Sequence, residues 1–145
     1  MINFQQMSQK TLAEFADFMT GKHLGGGMSR QVYAHPTDKT KVIKIEDSVG
    51  HFQNALEWEF WNHWSWCKDV AKWLAPCHSI SACGTFLIME RTEPLRKAPE
   101  KLPQFLTDHK PENYGLLKGR VVCHDYGRLI FSAETKLKKW TGEKI

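Results

Sequence analysis

FLTDHKPENYGLLKGRVVCHDYG, at residues 105–127, is the stretch of sequence that decides the fold. Two polar loops, DHKPEN and HDYG, flank a mostly apolar run. The first loop contains Asp108, Lys110 and Asn113, and the second contains Asp125. All of these residue types are common in surface turns. Taken alone, the pattern therefore leaves open a functional site and a pair of plain turns.

The apolar run between the two loops predicts a β-hairpin. Strands Tyr114–Leu117 and Arg120–Cys123 are joined by a Lys–Gly pair that suits a tight turn. Because a hairpin brings its two ends together, Asn113 and Asp125 are expected to lie close although they are 12 positions apart. The hairpin therefore places the two polar loops at the same end.

KHLGGGMSRQVYAHPTDKTKVIKIE, at residues 22–46, predicts three antiparallel strands with a glycine turn between the first two. Gly25, Gly26 and Gly27 suit either a flexible turn or a phosphate cover, because glycine lets backbone N–H groups approach an anion closely. Lys44 lies between apolar residues in VIKI, where an ammonium group without a partner is costly. A surface lysine on an edge strand is the alternative interpretation.

Residues 51–74 predict one long helix that is unusually rich in tryptophan. Glu57 and Phe60 fall on one aromatic face of this helix. A carboxylate on such a face needs a partner, and Glu59, nearly opposite, is the alternative acidic residue. The tryptophans away from this face are either half-buried or form an exposed patch for dimerisation or partner binding: Trp58, Trp66 and Trp73.

Shorter segments complete the predicted secondary structure. Ser8 caps an N-terminal helix that ends near Gly21. Residues 78–82 and 85–89 predict a β-hairpin. The remaining segments are expected to be a loop at 94–103, at most a short helical turn at 102–106, and one small helix or strand at 129–139.

The motifs resemble those of the protein-kinase-like family and occur in the same order. DHKPEN resembles the catalytic-loop pattern D-L-K-P-E-N, and HDYG resembles D-F-G with Tyr for Phe. VIK resembles the V-A-I-K lysine motif, and LGGGMSRQVY resembles L-G-x-G-x-x-G-x-V-Y with Arg30 at the last glycine. The resemblance covers residues 24–127. It implies an α+β, protein-kinase-like fold with an antiparallel N-lobe sheet, one long helix and a strongly reduced C-lobe.

The resemblance further implies one minimal kinase-like domain over residues 1–145. An N-lobe with the N-terminal helix covers about residues 1–92, and a reduced C-lobe covers residues 93–145. Only 15 residues separate Thr92 from Asp108, and only 18 follow the HDYG motif. These lengths leave no room for the large helical lobe or a full activation segment.

ATP and Mg²⁺ are the cofactors that the resemblance implies. Asp108 would orient the attacking hydroxyl group, and Lys110 would lie beside the γ-phosphate. Asn113 and Asp125 would supply oxygen ligands to Mg²⁺.

Upstream residues are implied to bind the rest of the nucleotide. Lys44 would contact the α- and β-phosphates while paired with Glu57. The phosphate cover would comprise Gly25, Gly26, Gly27 and Ser29. The adenine pocket would be bordered by Met89, and its edge would be bonded by backbone groups near Glu90, Arg91 and Thr92.

Composition narrows the classes of function. The chain has 145 residues, 41% of them hydrophobic, and a net charge of +4 that suits an anionic ligand. Its four cysteines show no close metal-binding pair, and no stretch is typical of a signal peptide or a membrane span. These features predict a cytoplasmic protein with free thiols and no membrane partner. Nucleic-acid binding is disfavoured, because no basic stripe alternates with aromatic residues.

The function that the resemblance implies is transfer of the ATP γ-phosphate to a hydroxyl group, as in Ser/Thr protein kinases. The acceptor is expected to be a protein, with the chain itself and a small molecule as alternatives. A second interpretation is a nucleotide-binding pseudokinase that binds or inhibits a partner through its Trp-rich helix. The same helix would form the interface of a homodimer. By analogy alone, so compact a chain resembles bacteriophage or mobile-element products.

Overall fold

The computed structural model describes residues 8–46, 50–129 and 133–145. The chain divides into two compact units that alternate along the sequence. The sheet unit comprises Met1–Ala55 and Cys77–Glu90, and the hairpin unit comprises Leu56–Pro76 and Arg91–Ile145. The structure confirms a fold of mixed helices and strands with mostly antiparallel pairing. The protein-kinase-like fold stays a prediction.

The sheet unit contains one five-stranded antiparallel sheet. Its strands lie in the order β1-β2-β3-β5-β4. The three strands and the later hairpin predicted from the sequence are confirmed, with these bounds: β1 His23–Gly26, β2 Arg30–Ala34, β3 Lys41–Glu46, β4 Cys77–Ile80 and β5 Phe86–Glu90. The alternation of β-branched residues on β3 fixes the register, because a one-residue slip would reverse which side chains are buried.

The two faces of this sheet differ in the side chains that they bury. Tyr33 and Ile45 form an apolar cluster against which Ile43 and Phe86 pack. Because successive side chains on a strand alternate between faces, Lys44 on β3 lies on the face opposite Ile43 and Ile45. Lys44 is therefore placed away from the cluster by the pleat of its own strand.

The N-terminal helix α1, Gln9–Met19, begins where the sequence predicts. The Thr11 backbone N–H donates to the Ser8 hydroxyl over 3.2 Å, so that Ser8 satisfies one of the helix's free amide groups. The helix stops short of Gly21, whose N–H bonds to the Ala34 carbonyl over 2.9 Å.

The prediction of one long helix over residues 51–74 is wrong. Two helices occupy this stretch, α2 at Gln53–Trp64 and α3 at Lys68–Ala71. At its beginning, Gly50 and Phe52 have φ angles of 93° and 54°, which a right-handed helix does not include. At the interruption, the Trp66 indole N–H donates to the His63 carbonyl over 2.7 Å and satisfies a group that a longer helix would have used.

The hairpin unit combines small sheets with connecting turns. One sheet has the strand order β6-β8-β9 and the other pairs β7 with β10. Their strands are β6 Glu93–Pro94, β7 Lys101–Pro103, β8 Tyr114–Leu117, β9 Arg120–Cys123 and β10 Leu137–Lys139. The hairpin of β8 and β9 is confirmed residue for residue, and β10 provides the strand expected within 129–139.

The loop predicted at 94–103 and the helical turn predicted at 102–106 are corrected. Strand β6 takes up the beginning of that loop and β7 takes up its end. Leu102 pairs with Lys138 across the β7–β10 sheet, and the following turn is closed by the Leu106 N–H on the Pro103 carbonyl at 3.0 Å. Pairing with a strand more than thirty positions away, which local sequence does not reveal, decides this segment.

Within the described residues, no helix is long and apolar enough to cross a membrane.

Candidate functional site

The DHKPEN loop, residues 108–113, lies in the hairpin unit immediately before β8. The Lys110 ammonium is 3.7 Å from an Asp108 carboxylate oxygen, and both side chains are exposed. The Tyr114 hydroxyl donates to the Asp108 carbonyl over 2.9 Å. The loop ends in a 3₁₀ turn at Pro111–Asn113, closed by the Asn113 N–H on the Lys110 carbonyl at 3.0 Å. The loop therefore has a fixed backbone and two solvent-facing charged groups.

The turn between β8 and β9 explains why the hairpin register is unambiguous. Lys118 and Gly119 have φ angles of 50° and 78°, the left-handed pair of a two-residue hairpin turn. Tyr114 lies opposite Cys123 at the far end of the ladder. The residues that flank this last pair are those of the two polar loops.

The HDYG segment, residues 124–127, meets the DHKPEN loop at the open end of the hairpin. The His124 N–H donates to the Asn113 carbonyl over 2.9 Å. Asn113 is therefore bonded through its backbone to the residue that precedes Asp125. Asn113 is buried at 8% exposure, whereas Asp125 is exposed. The two loop ends therefore lie close together, as expected, and a backbone hydrogen bond joins them.

The His124 ring ties this junction to two further segments of the same unit. Its Nε2 atom donates to the Glu112 carbonyl over 2.6 Å, because a carbonyl only accepts. In the neutral ring Nδ1 is then an acceptor, and the Thr92 hydroxyl donates to it over 2.7 Å. Residue type and spacing alone predicted no role for the His124 or Thr92 side chain. The position of the histidine directly before Asp125 was the available signal.

Glu57 is fully buried and holds the HDYG segment from α2. One of its carboxylate oxygens accepts the Tyr126 backbone N–H over 2.8 Å. The Tyr126 hydroxyl donates to the Ala75 carbonyl over 2.8 Å, and its ring packs against Phe60 with centroids 5.8 Å apart. Glu59 is exposed. Of the two acidic residues left open by the sequence, Glu57 is the buried one, and its pairing with Lys44 stays a prediction.

The strand end beside this segment is fixed by a two-way backbone bridge. The Cys123 N–H donates to the Trp73 carbonyl, and the Ala75 N–H donates to the Cys123 carbonyl, both over 2.8 Å. These bonds join β9 to the chain after α3 in parallel. Tyr126 and Cys123 are therefore anchored to the same short segment.

The DHKPEN loop is also supported by residues near the end of the chain. The His109 ring stacks on Trp140 with centroids 5.0 Å apart and planes at 1°. The Thr141 N–H donates to His109 Nδ1 over 3.0 Å, so Nε2 carries the proton that it donates to the Leu106 carbonyl over 3.0 Å. Gly142 approaches the His109 carbonyl too closely for any side chain. Sequence spacing gave no indication of this contact.

Tyr114 lies beneath the loop and is insulated from water. Burial raises the pKa of its hydroxyl above the ordinary value of 10.0, and the charges of Cys123 and Asp108 add to this effect. Its ring also meets Trp140 edge-on with centroids 5.6 Å apart. A neutral hydroxyl is therefore retained to hold the Asp108 backbone in place.

In the sheet unit, the predicted lysine Lys44 is buried at 4% exposure on the central strand β3. Its backbone is paired on both sides, opposite Val32 on β2 and Leu87 on β5. The fully buried Asn54 donates its amide to the Lys44 carbonyl over 3.0 Å. The lysine is therefore not the edge-strand surface residue that the sequence left as an alternative.

Asn54 is a residue that the sequence analysis missed. Its amide group also bonds to the Thr85 carbonyl over 2.9 Å and accepts from the Arg30 guanidinium over 3.2 Å. The Asn54 backbone N–H bonds to the Glu46 carboxylate. Asn54 thus joins the first turn of α2 to β3. In the sequence it is marked only as a polar residue near the start of the predicted helix.

The glycine segment is less constrained than the loops of the hairpin unit. Gly25 and Gly26 lie on β1, and the Gly27 N–H donates to the Arg30 carbonyl over 2.9 Å to close the turn. A methyl group added at Gly25 or Gly27 would meet nothing within 4 Å. Ser29 is buried at 8% exposure. The hairpin's own packing therefore does not explain Gly25 or Gly27.

The residues predicted to border the adenine pocket lie at the end of β5 and just after it. Met89 is fully buried and pairs with Val42. The Glu90 carboxylate is 2.6 Å from His78 Nε2. Arg91 is exposed and is the first residue of the later part of the hairpin unit.

The donor chemistry of the two loops suits Mg²⁺ better than a transition metal. Among the described residues, no group of three or more His, Cys, Asp and Glu side chains is arranged to hold a metal ion. Asn113 and Asp125 supply one amide and one carboxylate. Mg²⁺ commonly takes one or two protein oxygens and completes its shell with water and phosphate oxygens. The chemistry of these two donors suits Mg²⁺ brought with a phosphate ligand, and their shared binding of the ion stays a prediction.

A scan against protein-family models finds no match, and a search of curated proteins finds no similar sequence.

Proposed function

We propose that this protein is an ATP- and Mg²⁺-dependent phosphotransferase that moves the γ-phosphate to a hydroxyl group, with a protein Ser or Thr as the acceptor. The observation that carries the proposal is the backbone bond of 2.9 Å between the His124 N–H and the Asn113 carbonyl. It joins the DHKPEN loop, with its Asp108–Lys110 pair, to the segment that carries Asp125. These are the groups that phosphoryl transfer requires in one place.

Asp108 and Lys110 perform the chemistry in this proposal. The exposed Asp108 carboxylate accepts the hydrogen bond of the attacking hydroxyl and takes its proton as the new oxygen–phosphorus bond forms. The bond between the γ-phosphorus and the bridging oxygen breaks, and ADP carries the electron pair away. The Lys110 ammonium, 3.7 Å from Asp108, offsets the negative charge on the transferred group.

Asn113 and Asp125 hold the cation. When bound, Mg²⁺ neutralises charge on the β- and γ-phosphates. The Glu57 carboxylate and the Ala75 carbonyl fix Tyr126, the neighbour of Asp125, on both its backbone and its hydroxyl. This fixation limits the movement of the Asp125 backbone, and such preorganisation favours a charged ligand over water.

The sheet unit is proposed to bind the remaining phosphates. In this proposal the Lys44 ammonium contacts the α- and β-phosphates, and its strand β3 is a buried central strand of the sheet. The open space at Gly25 and Gly27 suits close backbone approach by an anion. Both assignments are proposals that nucleotide-binding measurements test.

The proposed activity is tested with γ-labelled ATP, Mg²⁺, and a mixture of the purified protein and unlabelled host protein. Wild-type protein is expected to transfer label to itself or to a host protein. Asp108→Asn is expected to lower the rate by about 10²–10⁴-fold, because it cannot take the hydroxyl proton. The control is Asp17→Asn, which changes an exposed aspartate on α1 and should leave the rate unchanged. Equal rates for wild type and Asp108→Asn would reject the assignment.

A second function, partner binding through the tryptophans, is favoured by one observation. Trp66 is 76% exposed and stacks on Trp64 with centroids 6.3 Å apart. Exposed tryptophan is unusual on a surface and common at interfaces. Under this function, ATP shifts the melting temperature without phosphate transfer, and Trp66→Ala weakens self-association or partner capture. Unchanged association by sedimentation of Trp66→Ala would remove this candidate.

A further inference from the structure

A broad groove lies within the hairpin unit and takes no part in the proposed chemistry. Its volume is about 940 Å³. Segments from four places line it: the chain after α3, residues 96–101, the β8–β9 hairpin and β10. None of the polar residues assigned above to ATP or Mg²⁺ is among its lining residues. We call it the basic groove.

Charge on the walls of the basic groove is strongly unbalanced. Five cationic side chains line it against the single carboxylate of Glu100: Lys72, Arg96, Lys97, Lys101 and Arg120. Two of these cations have acidic neighbours outside the groove, Lys72 with Asp69 at 3.7 Å and Arg96 with Glu93 at 3.9 Å. Such exposed pairs are weak and break readily for a better partner. The walls therefore favour a ligand with several negative charges.

Apolar side chains also line the basic groove, and we call them its floor and the cationic side chains its rim. Leu116 and Val121 come from the hairpin, Trp73 from the chain after α3, and Leu137 from β10. Leu137 is 51% exposed, although it faces a concave surface where a ligand could cover it. Protein-binding sites likewise combine apolar and charged side chains. This combination indicates a ligand with an apolar anchor as well as negative charge.

We propose that the basic groove binds an acidic peptide segment of another protein, with a Leu or Phe anchor on the floor and flanking Glu or Asp side chains on the rim. A single-stranded nucleic acid would also satisfy the cations. Such ligands, however, are held by several aromatic side chains on which successive bases stack. Trp73 is the one aromatic residue lining the groove within the described part of the chain. The aliphatic floor therefore favours the peptide.

This inference does not rest on phosphotransfer. The peptide-binding residues and the proposed catalytic residues are different, so either role can fail while the other holds. If both hold, the acidic segment belongs to the phosphate-accepting protein, and the groove defines that substrate class. Asp108→Asn separates the two roles because it removes the catalytic carboxylate without touching the groove.

Binding is tested by fluorescence anisotropy on the full chain. The probe is a short fluorescein-labelled peptide with a Leu–Phe pair flanked by glutamates, and the competing probe is labelled oligothymidine. The peptide is expected to bind and the oligothymidine is not. The double variant Lys97→Glu with Arg120→Glu is expected to weaken peptide binding by about tenfold or more, because it reverses two rim charges. Asp108→Asn is expected to bind the peptide as tightly as wild type.

The matched control reverses two lysines outside the groove. Lys22→Glu with Lys144→Glu changes net charge equally, and both residues are exposed. Leu137→Ser tests the floor and is expected to weaken binding several-fold without reversing charge. The proposal is overturned if the peptide does not bind, if oligothymidine binds more tightly than the peptide, or if the control double variant loses as much affinity as the groove variant.

Discussion

The glycine hairpin of the sheet unit and the paired loops of the hairpin unit are both turn-rich, yet they are constrained very differently. In the hairpin unit, His124 bonds through its backbone N–H and both ring nitrogens, and Tyr126 bonds through its N–H and hydroxyl. In the sheet unit, a side chain added at Gly25 or Gly27 would meet nothing within 4 Å.

The contrast distinguishes residues that are present to hold the local structure from residues that are present to bind a ligand. In the HDYG segment, His124 and Tyr126 hold the local structure, whatever else they do. The space around Gly25 and Gly27 does not require glycine, and under the proposed function a phosphate ligand accounts for both residues. Variants that remove the bonds of His124 or Tyr126 should therefore affect folding, and variants at Gly25 or Gly27 should affect binding.

Loss of the Glu57 carboxylate is expected to have the largest effect on folding. Glu57→Ala leaves the buried Tyr126 N–H without its acceptor and opens a cavity, which should lower the free energy of unfolding by about 3 kcal/mol. Urea unfolding measures the change. The exposed Glu59→Ala is the control and should stay within about 0.5 kcal/mol of wild type. Equal losses for the two variants would show that the HDYG segment does not depend on Glu57.

Loss of the Lys44 ammonium is expected to have the next largest effect. It should weaken ligand binding rather than lower the stability of the fold. Lys44→Met keeps an apolar stem of similar length and should weaken binding of ATP with Mg²⁺ by about 10- to 100-fold, the equivalent of a hydrogen bond to a charged group. Lys41→Met, three positions earlier on the same strand, is the control. Titration calorimetry that gives equal affinities for both variants would remove Lys44 from the proposed site.

Alanine at two glycines compares the two regions directly. Gly119→Ala should cost about 1 kcal/mol of stability, because residue 119 has a φ angle of 78° that favours glycine. Gly25→Ala should change stability by less than about 0.5 kcal/mol, yet weaken ATP binding. Thermal unfolding and calorimetry provide the two readouts. The contrast fails if Gly25→Ala is as destabilising as Gly119→Ala.

The smallest expected effect is an alkaline dependence that comes from Tyr114. Its pKa is raised in the folded protein, mainly by burial, so its contribution to stability is complete below the unfolded value of 10.0 and declines as pH rises above it. Tyr114→Phe lacks this titration and should be about 1 kcal/mol less stable near pH 7 because it loses the bond to the Asp108 carbonyl. Urea unfolding should show the two proteins converging above about pH 10. A constant difference between them would contradict the raised pKa.

Local sequence predicted the elements whose determinants are local. The β8–β9 hairpin followed from its Lys–Gly turn, whose φ angles are left-handed in the structure. The Ser8 cap and the glycine hairpin were predicted for the same kind of reason. In each case the residues that decide the conformation lie within a few positions of one another.

Partners distant in sequence decided what could not be predicted. The helix over 51–74 was predicted from periodicity alone, but Leu74 at its predicted end pairs in parallel with Cys123, a distant partner that local periodicity does not reveal. The stacking of His109 on Trp140 joins residues 31 positions apart. The candidate polar residues were found because their types are informative, whereas their supporting residues, such as Asn54, Thr92 and Trp140, are ordinary in sequence.

The central claim is that the joined DHKPEN and HDYG segments hold Mg²⁺ with ATP. Calorimetric titration of ATP into wild type and Asp125→Asn, each with and without Mg²⁺, tests it most directly. Wild type should bind ATP more tightly with Mg²⁺, and Asp125→Asn should lose that enhancement while retaining its affinity for ATP alone. Absence of ATP binding to wild type, or an undiminished effect of Mg²⁺ on Asp125→Asn, would contradict the claim.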